Sequence, residues 1–63
     1  MAWYEKLDLS KIGQEVRYRI FYYLYSKGLR ARDLGISETT FYRVLHRKQP
    51  VSDSLFTKLL QHL

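Results

Sequence analysis

Residues 31–44, ARDLGISETTFYRV, restrict the fold of this chain more than any other stretch. A short helical run closes on Leu34. Gly35 follows, a residue without Cβ that can take a positive φ and turn the chain sharply. Ile36, Ser37 and Phe41 then stand at N′, N-cap and N4 of a new helix, a hydrophobic staple around a serine cap. In a helix begun there, Phe41, Val44 and Leu45 share the inner side. Glu38, Thr39, Tyr42, Arg43 and His46 fall in one outward arc. The stretch predicts two helices set at an angle by a glycine turn, with five side chains of the second left free for contact.

The same starting device recurs. Val51, Ser52 and Phe56 repeat the staple and the cap, predicting a closing helix over 52–63 that buries Leu55, Phe56, Leu59, Leu60 and Leu63. Asp53 at N1 suits the positive end of that helix dipole. Pro50 stops the preceding helix near residues 47–49. The closing helix is still apolar at its last residue, the pattern of a domain within a longer chain.

Upstream, a first helix is expected over about 10–27, with Ser10 as N-cap and Gly28 ending it in a left-handed conformation. Ile12, Val16, Ile20 and Leu24 recur every fourth residue, with Tyr23 beside them, and make the expected core face. Tyr18, Tyr22 and Tyr25 form a row roughly opposite, with Phe21 at its margin. A helix apolar on two sides has partners on two sides. Trp3, Tyr4 and Leu7 are the nearest candidates, closing a second small core. The alternative is a docking surface for a second protomer or a fused domain.

Sixty-three residues make one domain, 1–63, and the element pattern is that of an all-α, three-to-four-helix bundle containing a helix-turn-helix. Its core spans about 29–48 and its closing helix about 52–63. There is no cysteine, so neither disulfides nor thiolate metal sites hold it. The acids near the N-terminus argue against a signal peptide. No run approaches the roughly 20 apolar residues that cross a bilayer. The default is a cytoplasmic location with no membrane contact. The net charge is +5, and it is unevenly placed. Residues 27–48 hold six bases and two acids, whereas the other 41 residues hold five and four. A basic excess on the very segment with five free side chains is the footprint of polyanion binding.

The segment 27–63 resembles the helix-turn-helix domains of the lambda-repressor and Cro superfamily. That family has a small residue four positions before the turn glycine and apolar residues on either side of it. It has further apolar residues six and nine positions beyond. Ala31, Leu34, Gly35, Ile36, Phe41 and Val44 occupy those places, and HRKQPVSDSLFTKLL is similar to the family's loop and closing helix. LGISETTFYRVL is equally similar to the DNA-binding tails of serine recombinases. Two positions depart from the pattern. Arg30 stands where the family has an apolar residue, and Gly28-Leu29 lies almost directly before Leu34-Gly35. The second helix must therefore be short, about six residues, with Leu29 supplying the apolar contact that Arg30 cannot.

The resemblance implies binding of double-stranded DNA with the third helix in the major groove. Arg43 is the first choice for reading a base, since its planar fork matches guanine O6 and N7, a pair worth about 1–3 kcal/mol of discrimination. Glu38 can accept from cytosine N4, and Thr39 can touch a thymine methyl. Tyr42 and His46 can read bases or brace phosphates. The family pattern implies that Ser37 and the start of the second helix lie by the DNA backbone, where Arg30 and Arg32 neutralise phosphates. Arg47 and Lys48 do so beyond the reading helix. Glu38 has a competing role as a first-turn acid favoured by the helix dipole. Tyr42 can also be read as core edge, and His46 as an ordinary surface residue.

No catalytic or metal site and no cofactor is expected. His46 and His62 are the only histidines, they fall on different helices, and no nucleophile with base and orienter can be assembled. The expected role is sequence-specific transcription regulation or targeting of a DNA-processing protein. A homodimer or a fused C-terminal domain remains open as a further partner. The rival from another class is a protein-interaction adaptor docking through Tyr18, Tyr22 and Tyr25. An RNA binder is a weaker third.

Overall fold

The computed structural model describes residues 3–63; Met1 and Ala2, which the domain range 1–63 includes, lie outside the described residues. The described chain is helical, with no strand among the described residues. Two short 3-10 turns, Trp3–Lys6 and Leu9–Lys11, lead into four helices: α1 Gln14–Ser26, α2 Ala31–Leu34, α3 Glu38–Leu45 and α4 Asp53–Leu60. α1 packs on α3 and α4, and α2 packs on the same two. Between them lie Phe21, Val44, Val51, Phe56 and Leu59, all fully buried.

The serine caps act as their residue types require. Ser37 Oγ accepts from Thr40 N at 3.1 Å and Ser52 Oγ from Leu55 N at 3.2 Å. Leu55, Phe56, Leu59 and Leu60 are buried as expected, but Leu63 is exposed, because α4 ends at Leu60 and the chain leaves the core.

Three successive helices close with one device, a left-handed residue followed by a 6→1 hydrogen bond. Gly28 (φ 104°) ends α1, with Leu29 N donating to Leu24 O at 3.0 Å. Gly35 (φ 65°) ends α2, with Ile36 N donating to Ala31 O at 3.2 Å. Arg47 (φ 57°) ends α3, with Lys48 N donating to Arg43 O at 2.7 Å. This early closure stops α3 at Leu45, before the limit that Pro50 would impose. α2 has four residues rather than six, and Leu29 is buried beside it, in the contact that Arg30 cannot make.

Gly35 gives a clean test of the turn. A methyl added there meets no atom within 4 Å, so its whole cost is conformational. Gly35→Ala is expected to lose about 1 kcal/mol, lowering Tm by about 4–8 °C for a domain of this size. Gly35→Asn should recover much of that, since Asn tolerates the left-handed region. Thermal melts of the three proteins check it, and an alanine variant melting with the parent would contradict the turn.

The first helix differs from its sequence reading in start and in orientation. Asp8, not Ser10, acts as the cap: its carboxylate accepts from Ser10 N at 3.1 Å and closes the Leu9–Lys11 turn. Gly13, in extended conformation, then caps α1 three residues later than the expected Ser10. The buried face is Arg17, Tyr18, Phe21 and Leu24. Val16 is 47% exposed and Tyr23 is exposed, while Ile12 and Ile20 only edge the core. Tyr18 and Phe21 therefore face inward with Tyr22 half-buried beside them, and of the aliphatic row only Leu24 is fully in the core.

The partner of that row is also different. Tyr18 Oη donates to Gln49 O at 2.6 Å and Tyr22 Oη to Leu45 O at 2.9 Å, while the Tyr25 ring packs on Phe41 at 5.9 Å. The row thus holds α3 and the α3–α4 loop rather than the N-terminal segment. Trp3 is 62% exposed and Leu7 is exposed. Tyr4, Leu9 and Ile12 fit against the core edge. Arg17 fastens that segment, its Nη2 donating to Leu9 O at 2.7 Å and its Nε to Ile12 O at 3.0 Å.

Candidate nucleic-acid interface

α3 is positioned from beneath. Phe41 and Val44 are buried, Phe41 lying 5.1 Å from the Phe21 ring. Residues advance by 100° around a helix, so these anchors turn the opposite arc outward. Glu38, Thr39, Tyr42, Arg43 and His46 are all exposed. Tyr42 and His46 touch each other at 4.2 Å between ring centres.

The basic residues around this helix fall into two groups. Arg30 stacks on Tyr25 at 4.7 Å, and its Nη1 donates to Leu29 O at 2.8 Å. The Asp33 carboxylate accepts from Arg30 N at 2.8 Å and so holds the start of α2. Arg47 lies 4.9 Å over Tyr18, donates from Nε to Tyr22 Oη at 3.2 Å, and pairs with Glu15 at 3.3 Å. The bond to Tyr22, followed by the field of Glu15, raises the Arg47 pKa above its ordinary value. Lys48 rests 5.7 Å from the Tyr42 ring, and Lys27 rests 5.5 Å from Tyr23. These four are charges held in place on tyrosine faces. Among the described residues, the side chains of Arg32 and Arg43 make no hydrogen bond, ion pair or ring contact, and both are exposed. They are the unpartnered charges on or beside α3. Ser37 already bonds Thr40 through both of its roles, accepting at 3.1 Å and donating at 3.0 Å.

Hydropathy could not reveal this tyrosine–cation pairing, since it treats both partners as separate surface residues. The available signal was spacing: Tyr18, Tyr22 and Tyr25 share a helix face with Phe21, which is the one that meets 41–51.

A groove of about 470 Å³ runs along one side of α3. Ala31, Phe41 and Leu45 supply its apolar lining. Arg30 stacked on Tyr25, Arg32, Glu38 and Tyr42 form the rest. Thr39, Arg43 and His46 take no part in it. Among the described residues no group of three His, Asp or Glu side chains could hold a metal ion, and no helix is long and apolar enough to cross a membrane. No known family model, curated protein or solved structure matches the chain.

Proposed function

We propose that this chain binds duplex DNA, with α3 in the major groove and α2 beside one strand. One observation carries the reading. α3 is anchored by Phe41 and Val44 while all five side chains of its outer arc stay exposed, amid cations held on tyrosine rings and cations without a partner. Arg43 is the leading base reader, because it alone on that arc is a cation without an internal partner. Arg32, which has no internal partner, is the leading phosphate contact, and Arg30, Arg47 and Lys48 supply positive charge held on tyrosine rings. The biological role that fits is sequence-specific transcription regulation, or the targeting of a larger DNA-processing protein.

The adaptor reading is the less favoured, although Tyr25 of its proposed surface stays exposed. Tyr18 is buried, and the hydroxyls of Tyr18 and Tyr22 are bonded within the domain. The DNA reading is tested by titrating duplex DNA at two salt concentrations. Neutralising about four phosphates should weaken binding about a hundredfold between roughly 50 and 200 mM salt. A flat salt response, or no duplex affinity at low salt, would count against it.

A further inference from the structure

The outer arc of α3 divides in two. Glu38 and Tyr42 line the groove that faces α2 and Tyr25, whereas Thr39, Arg43 and His46 lie outside it. We infer that this groove seats one backbone phosphodiester of the DNA, so that Glu38 and Tyr42 do not read bases and Glu38 restrains affinity for every sequence alike. The inference rests on the DNA-binding reading above.

The chemistry of the groove favours a sugar-phosphate over a base edge. Its apolar lining, Ala31, Phe41 and Leu45, suits the carbon face of a deoxyribose and offers no side-chain donor or acceptor to code a base. Its polar members are two guanidiniums, two phenols and one carboxylate. Arg30 is pinned on Tyr25, but Arg32 is free to turn onto a phosphate oxygen. Glu38 is exposed and, among the described residues, forms no ion pair with either arginine. An unpaired carboxylate beside an incoming phosphate repels it. As the first residue of α3, Glu38 also has a structural reason to be acidic. Base reading then falls to Thr39, Arg43 and His46.

The probe is the duplex that the parent protein enriches from a random pool, with its full set of single-base-pair variants. Glu38→Gln is expected to tighten binding to all of them equally, by about threefold to tenfold at low salt. Replacing single phosphates by methylphosphonate should reveal one position at which that gain disappears, since the repulsion needs the charge on that phosphate. Circular dichroism and thermal melts confirm that the variant is folded. A changed preference at one base pair would show that Glu38 reads a base, and would overturn the inference while leaving DNA binding intact. A gain that persists at every methylphosphonate position would mean that Glu38 acts only through net charge, which also overturns it. If the parent itself enriched no duplex and bound none at low salt, the DNA-binding reading would be the one to fall.

Discussion

Arg17→Met is expected to destabilise the domain by about 3 kcal/mol or more, a large part of the roughly 3–9 kcal/mol that a chain of this length holds. Arg17 is a charged residue at 5% exposure. Its guanidinium serves three backbone carbonyls from three places in the chain: Leu9 at 2.7 Å, Ile12 at 3.0 Å and Val51 at 2.8 Å. It also pairs with Asp53 at 2.8 Å and lies 5.1 Å over the Phe56 ring. Methionine keeps much of the volume, so the loss reports the polar contacts of the guanidinium, the hydrogen bonds with the ion pair and the ring contact, rather than packing. Three carbonyls lose a charged donor, each worth at least about 1 kcal/mol. For a domain this small the melting temperature should fall by about 12–24 °C. Asp53 is mostly exposed, so its carboxylate is not stranded, and Asp53→Asn should cost under about 1 kcal/mol. Urea unfolding of the two variants against the parent checks both values. A methionine variant within a few degrees of the parent would mean that Arg17 does not join the N-terminal segment to the loop.

That residue also marks the boundary of what could be read from sequence. The starts at Ser37 and Ser52 and the turn at Gly35 were legible because each depends on interactions within about six residues. The burial of Phe41, Val44, Leu55, Phe56, Leu59 and Leu60 followed from those starts. The orientation of α1 was not legible. Its aliphatic row and its tyrosine row are both regular, and periodicity cannot choose between them. The choice is made by partners far along the chain: Gln49 O for Tyr18, Leu45 O for Tyr22, and Val51 for Arg17 and Gln14. Gln14 makes both bonds to Val51, donating at 2.9 Å and accepting at 2.7 Å. A buried face that includes Arg17 and Tyr18 beside Phe21 and Leu24 registers only weakly as hydrophobic, although the polar atoms of Arg17 and Tyr18 are satisfied by backbone.

At the surface the outward arc of α3 was legible and the state of its cations was not. Six basic residues over 27–48 look equivalent in a charge count. The structure separates Lys27, Arg30, Arg47 and Lys48, each on a tyrosine ring, from Arg32 and Arg43. Arg47 could not be picked out, because its left-handed backbone occupies a place where glycine is usual.

The second large effect is expected at Arg43. On α3 it is exposed, and its guanidinium has no partner to leave on binding. If it pairs with guanine O6 and N7, Arg43→Ala should lose about 1–3 kcal/mol of discrimination at one base pair. Arg32→Ala should instead weaken all duplexes about equally, because a phosphate contact positions the protein without carrying sequence information. Neither change touches a core residue, so both variants should melt with the parent.

Selection of bound duplexes from a random pool, run in parallel with the parent and with Arg43→Ala, tests the central claim most directly. The parent should enrich one short sequence, and Arg43→Ala should enrich the same sequence with a single position degenerate. If the parent enriched no sequence, or the two proteins enriched the same one with equal weight at every position, α3 would not be reading DNA through Arg43.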